Sequence, residues 1–194
     1  MIRGAFVLAA LIGIASLGMN DPAKAADADH PVVVLDTTAG AITLELDRTK
    51  APISVDNFLK YVDKGYYDGV IFHRVISDFM IQGGEMIEAN GRIMEKGGTL
   101  PPIKNESRNG LSNTRGTIAM ARTSNPNSAT SQFFINHADN SQKLDKTGGG
   151  YAVFGKVIDG MDAVDSIAAT KTTGDAQGNV PLKAITIKSA KRKG

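Results

Sequence analysis

The chain has 194 residues, 22 of them Lys or Arg against 20 Asp or Glu, and contains no cysteine. Disulfides, thiol redox chemistry and cysteine nucleophiles are thereby excluded, and a formal net charge of +2 gives no electrostatic reason to expect nucleic acid as a partner. The histidines His30, His73 and His137 share no metal-ligand spacing and no G-x-S-x-G motif is present, so neither a metal site nor a serine hydrolase is indicated.

Residues 1–25 read as a secretory signal peptide. Arg3 gives a basic start, Ala5 to Leu17 is an apolar run, and Ala23-Lys24-Ala25 is a small-residue cleavage pattern. The run is shorter than the roughly 20 residues a membrane span needs, so the mature chain is expected to begin at Ala26. Residues 26–194 suit one domain, with no membrane attachment after processing.

"VVVLDTTAGAITLELD" reads as a hairpin: a strand from Val32 to Thr37, a turn at Ala39-Gly40, and a strand from Ala41 to Asp47. In the second strand Ile42, Leu44 and Leu46 alternate with Thr43, Glu45 and Asp47, which gives one buried and one wet face. "APISVDNFLKYVDKG" changes period. Pro52 suits a first helical turn, Val55, Phe58, Leu59 and Val62 share one side, and Gly65 ends the helix. "GMDAVDSIAAT" repeats that pattern with Met161, Val164, Ile167 and Ala168.

Between the helices the chain reads as short strands broken by Asp68-Gly69, Asn90-Gly91 and Asn109-Gly110. "TIAMA", "QFFIN", "YAVFGKVI" and "AITIK" are strand candidates, whereas residues 85–111, 122–130 and 136–150 read as long loops. The pattern Gly150 to Lys156 is one hydroxyl short of a phosphate loop, because Val157 follows, and its apolar middle fits a strand better. Asn105-Glu106-Ser107 is a glycosylation triplet of the kind that arises by chance. The basic end "KSAKRKG" reads as solvated. Many short strands with two helices and no βαβ rhythm predict a mainly β protein, an antiparallel sheet closed into a barrel.

"FHRVISDFMIQGG", "GTIAMARTSNPNSATSQFFIN" and "YAVFGKVIDGMD", in this order and spacing, resemble the cyclophilin family of peptidyl-prolyl cis-trans isomerases, from Val32 to Ile187. The resemblance implies a closed eight-stranded antiparallel β-barrel capped by two α-helices, with the substrate in an outer groove. It implies Arg74 as the catalytic arginine and Phe79, Met80, Phe134 and Leu144 as the lining of a proline pocket. Gln82 would hold Arg74 and touch the peptide. Ala121, Arg122 and Gln132 would contact the residues before proline. Tyr151 stands where many eukaryotic members have histidine, and His73 lies near the site without acting as a general acid. No cofactor is implied. The partners would be proline-containing peptides and unfolded exported proteins, with the protein a periplasmic monomer of the bacterial exported subgroup.

Taken alone, Phe79, Met80 and Phe134 fit a core, and Arg74 and Gln132 fit solvated strand positions; their joint spacing reverses both readings. Three departures from the family pattern matter. Lys143 replaces a frequent tryptophan, so cyclosporin-type inhibitors should bind poorly. The loop "DKTGGGY" is long and glycine-rich. Arg122 replaces a eukaryotic asparagine, and its side chain would favour acidic peptide segments. A groove that binds proline peptides without catalysis is the rival reading, and an intact Arg74 favours the enzyme.

Overall fold

A computed structural model describes residues 28–193, so the expected signal peptide lies outside the described residues. The hairpin forms as β1 (Val32–Thr37) and β2 (Gly40–Leu46). Its register pairs Thr37 with Gly40, which moves the two-residue turn to Thr38-Ala39, one position earlier than expected. The Thr37 hydroxyl closes that turn by donating to the Gly40 carbonyl and accepting from the Ala39 N–H. Ile42, Leu44 and Leu46 are buried, as the alternation requires.

Helix α1 (Pro52–Asp63) buries Val55, Phe58, Leu59 and Val62, and also Tyr61. Its N-terminus has no local side-chain cap. Instead the Glu106 carboxylate, far along the chain, accepts from the N–H groups of Ile53 (3.0 Å) and Ser54 (2.8 Å) and from the Ser54 hydroxyl (2.7 Å). The middle residue of the chance-like triplet is thus the cap of the main helix, where its charge also faces the positive end of the dipole. Glu106→Ala is expected to cost about 1–2 kcal/mol, read as a lower urea midpoint at unchanged slope.

The apolar run that opens the cyclophilin-like motif splits into β3 (Arg74–Ile76) and β4 (Met80–Gly83), folded back on each other at Ser77–Phe79. The segment expected as a loop after it holds a second hairpin, β5 (Met86–Ala89) and β6 (Arg92–Glu95), turned at Asn90-Gly91. Both turn residues have positive φ, 54° and 71°, the backbone a two-residue hairpin turn favours. β7 (Thr117–Met120), β8 (Phe133–Asn136) and β9 (Val153–Asp159) follow, with the short helix α2 (Ser141–Leu144) inside another expected loop. α3 (Met161–Ala168) and β10 (Ile187–Arg192) complete the described chain.

The basic end is not merely solvated. β10 runs through it, Ala190 is 3 % exposed, and Arg192 makes a two-pronged ion pair with Asp63 of α1 (2.6 and 2.7 Å). That pairing draws the Asp63 carboxyl below its usual pKa, chiefly through the hydrogen bond from Arg192.

Eight strands form one antiparallel sheet in the order β10-β1-β2-β9-β7-β8-β4-β3. The expectation of a closed barrel is corrected: the sheet is curled but open, and no strand ladder joins β3 to β10. β3 is only three residues long, and the Val75 N–H goes to Asn179 of an irregular segment instead. The gap is spanned by isolated backbone bonds, among them Phe72 N–H to Ile185 O (2.9 Å) and Ile187 N–H to Val70 O (2.8 Å).

Inside the curl sits a core built on Phe58, Tyr67, Phe72, Phe133 and Phe154. Phe58 meets Tyr67, Phe133 and Phe154 at centroid distances of 5.1, 5.6 and 5.3 Å. The outer face of four strands carries a second apolar cluster of Met80, Ala119, Ala121, Phe134, Leu144 and Val153. Period-two geometry assigns the faces: Ile81, Ile118, Met120, Phe133, Ile135 and Phe154 point in, while Met80, Ala119, Phe134 and Val153 point out. β8 is buried throughout because both of its faces are covered.

Candidate active site

The outer cluster opens into a cavity of about 280 Å³ lined by Arg74, Phe79, Met80, Gln82, Ala121, Arg122, Phe134, Lys143, Leu144, Thr147 and Tyr151. Of the site residues expected from sequence, only Gln132 lies outside this lining, and it is one hydrogen bond away. The floor is apolar: Met80 and Phe134 are 2 % and 4 % exposed, and Tyr151 meets Phe134 edge-on at 5.7 Å.

Arg74 enters from β3. It is opposite Gln82 in the β3–β4 register, so the two side chains share the outer face. Its Nη1 donates to Gln82 Oε1 (3.3 Å) and approaches Met80 Sδ at 3.9 Å. Gln82 Nε2 donates in turn to Gln132 Oε1 (2.8 Å). A cation in an apolar run is therefore explained: the run is two strands of a hairpin, and alternate positions face a cavity instead of the core.

Residues 32–192 match the family model of cyclophilin type peptidyl-prolyl cis-trans isomerase/CLD. The chain belongs to the cyclophilin family of peptidyl-prolyl isomerases. It is 52% identical over 189 residues, 95% of this chain and 96% of the relative, to peptidyl-prolyl cis-trans isomerase A of Dickeya dadantii. It is 48% identical to peptidyl-prolyl cis-trans isomerase B of Escherichia coli over 81% of this chain and 97% of that protein. A crystal structure of a Cryptosporidium parvum cyclophilin in the presence of the dipeptide Ala-Pro superposes with a TM-score of 0.71. That pair is 30% identical and covers 84% of this chain and 99% of the other.

In this cyclophilin the Arg122 side chain is not free to meet an acidic peptide, which corrects the sequence expectation. Its guanidinium lies 4.3 Å from the Tyr151 ring centre. It donates to the carbonyls of Thr123 (2.9 Å), Thr147 (3.0 Å), Gly148 (2.9 Å) and Gly150 (3.0 Å). Nε and Nη2 are spent on the glycine-rich loop and Nη1 is turned to Thr123, so Arg122 braces the wall that carries Tyr151. Lys143 places its ammonium 5.5 Å from the Phe79 ring centre, a cation at the rim of the cavity.

Beneath that wall lies a polar network that sequence reading missed. Asn136 is fully buried and donates to Asn113 Oδ1 (3.1 Å) and Thr117 Oγ1 (2.9 Å). Asn140 donates to Asn136 Oδ1 (2.7 Å) and the Phe79 carbonyl (2.8 Å). Asn113 donates to Asp145 Oδ1 (2.8 Å) and the Tyr151 carbonyl (3.2 Å). The network ties the residues on either side of the cavity, Phe79 and Tyr151, to one rigid base. Burial raises the Asp145 pKa, but hydrogen bonds from Ser112 and Asn113 outweigh it and hold the carboxyl below its usual value. Asn136 ends the motif stretch that carries Phe133 and Phe134, but Asn113, Asn140 and Asp145 lie in no motif.

His73 adjoins Arg74 but does not line the cavity. Burial first, then the charge of Arg74, lowers its pKa to about 4, and its Nδ1 has no hydrogen-bond partner among the described residues. It is neutral at pH 7. The unfolded chain takes up a proton near pH 6.5 and the folded chain only near 4, so the stability this site confers is complete above pH 6.5 and lost as pH falls towards 4. A loss on the order of 3 kcal/mol across that window is expected from the size of the shift. His73→Gln should flatten that part of the stability curve, checked by urea unfolding across the same pH window.

Proposed function

We propose that this isomerase accelerates rotation about Xaa-Pro bonds in exported proteins as they fold in the periplasm, with Arg74 donating to the prolyl nitrogen and the apolar cavity seating the ring. The observation that carries the reading is the shared cavity: a guanidinium beside Phe79, Met80, Phe134 and Leu144. The dipeptide in the Cryptosporidium relative supports a proline-containing peptide as its occupant. The apolar run Ala5–Leu17 supports export.

Rotation about a planar amide must overcome a barrier of roughly 18–20 kcal/mol, because resonance is broken. At the twisted transition state the nitrogen regains its lone pair and becomes a hydrogen-bond acceptor. A donor at that point binds the transition state more tightly than the ground state, which is the requirement for catalysis. Arginine suits the task because it stays charged and its planar fork is steadied by Gln82. The cavity supplies the second contribution. Planar amide resonance is charge-separated, so a dry environment weakens it, while the pocket grips the ring and the preceding peptide turns.

Arg122, the Tyr151 ring and Gln132 would border the segment before proline. The Ala121 N–H is already bound to the Gln132 carbonyl (3.0 Å), so contact there would come from other groups. The test is the isomerisation rate of a short Xaa-Pro peptide with the wild type and with Arg74→Ala. Clear acceleration by the first and its loss in the second support the reading; equal rates remove Arg74 from the chemistry, and no acceleration by either supports a binding groove.

A further inference from the structure

The hydrogen bonds that start at Arg74 do not stop at Gln132. Gln132 Nε2 donates to Glu85 Oε2 (2.5 Å), so four side chains form one line: Arg74, Gln82, Gln132, Glu85. The first member can only donate and the last, as a carboxylate, can only accept. Between them stand two amides, each with a donor end and an acceptor end. Only one arrangement satisfies all three bonds: both amides point their NH2 groups towards Glu85 and their carbonyl oxygens towards Arg74. Reversing either amide sets oxygen against oxygen or NH2 against NH2 and breaks two bonds.

We infer that Glu85 is a positioning residue for Arg74, acting through Gln132 and Gln82. It rests on the reading that Arg74 is the catalytic donor. The carboxylate fixes the polarity of the line, and the polarity puts an acceptor, not a donor, beside the guanidinium. Glu85 reaches Gln132 because the backbone of Gly84 runs against Ser131 and Gln132, where an added Cβ would lie 2.5 Å from the Ser131 carbonyl. Glu85 itself does not line the cavity.

The polarity can be reversed and restored. Glu85→Lys puts a donor at both ends, so no orientation of two amides satisfies the line. Adding Gln132→Glu returns an acceptor that both the new ammonium and Gln82 can reach, and the Gln82 oxygen again faces Arg74. Glu85→Gln keeps an acceptor atom and should behave as the wild type. The expected result for Glu85→Lys is a fall in kcat of about five- to tenfold, the scale of one hydrogen bond, with KM unchanged because the apolar pocket is intact. The double variant should recover part of that kcat. In an Arg74→Ala background Glu85→Lys should have no further effect.

Wild-type kcat in Glu85→Lys while Arg74→Ala is impaired overturns the inference and leaves the reading of Arg74 standing. A further loss in the Arg74→Ala background also overturns it, since Glu85 would then act elsewhere. Full activity of Arg74→Ala overturns the reading beneath it. Should Glu85→Lys not fold, Glu85→Leu, which removes the acceptor without adding a donor, is expected to show the same kcat loss at unchanged KM, and wild-type kcat there overturns the inference.

Discussion

Arg74→Ala should lower kcat/KM for a short Xaa-Pro peptide by roughly ten- to a hundredfold. The figure follows from one hydrogen bond to a charged group, about 1.5–3 kcal/mol, at about 1.4 kcal/mol per factor of ten. The loss should fall on kcat. On the proposed mechanism the bond exists only while the prolyl nitrogen is pyramidal, whereas ground-state affinity would come from Met80, Phe134 and Leu144, of which the substitution loses only the 3.9 Å approach of Arg74 to Met80 Sδ. Arg74→Lys should lie between the two, because an ammonium supplies the charge without the planar fork that Gln82 braces. Misfolding is not the expected cause of any loss. Arg74 is half-buried on the short edge strand β3, and its removal leaves Gln82 still paired with Gln132. Standard proline-peptide kinetics with thermal unfolding of each variant checks both parts. Unchanged kcat in a folded Arg74→Ala protein contradicts the mechanism.

Much of this fold was legible in the sequence where period and burial agree. α1 and β2 each bury one face, so Val55, Phe58, Leu59 and Val62, and then Ile42, Leu44 and Leu46, declare themselves by spacing. Legibility fails where both faces are covered. In Phe133–Asn136 every position is buried, so alternation carries no information about which side faces the cavity. Without the register of β4 against β8, Phe134 and Met80 are indistinguishable from core. The hairpin β5–β6 was hidden for the opposite reason: β6 is exposed at every position and shows no apolar stripe. Sheet closure was not legible because it depends on the irregular backbone around Asn179 and Ile185, which has no periodicity at all.

The site divides in the same way. Most residues that touch the cavity lie in the three motif stretches, whereas Asn113, Asn140 and Asp145, which hold it, lie outside them. Asn136, Asn140 and Asp145 lie in one stretch read as a loop, and Asn113 meets them only through the fold. Arg122 was legible as a residue but not as a brace, since the partners of its guanidinium are main-chain carbonyls, which every residue possesses.

The two glycines of "IQGG" show what such a motif encodes physically, and Gly84→Ala is expected to have the largest effect on stability. Gly84 has a φ of 108°, where L side chains are strained, and an alanine Cβ there would sit 2.5 Å from the Ser131 carbonyl oxygen and 2.8 Å from Gln132 Cα. Both neighbours are backbone of the segment entering β8, next to the fully packed Phe133, so neither can swing aside. Gly91 is the control. Its φ is also positive, 71°, but among the described residues nothing lies within 4 Å of its added Cβ. Gly91→Ala should therefore cost only the backbone strain, about 1–2 kcal/mol. Gly84→Ala adds the clash, for a total above about 4 kcal/mol, the range reserved for a named disruption, and enough to threaten a domain of ordinary marginal stability. If that variant still folds, β4 must shift against β8, and Gln82, Glu85 and Gln132 must move apart, so kcat should fall with stability. Equal urea midpoints for the two variants would mean that the close approach of β4 and β8 is soft, and the rigid seat proposed for Arg74 would lose its foundation.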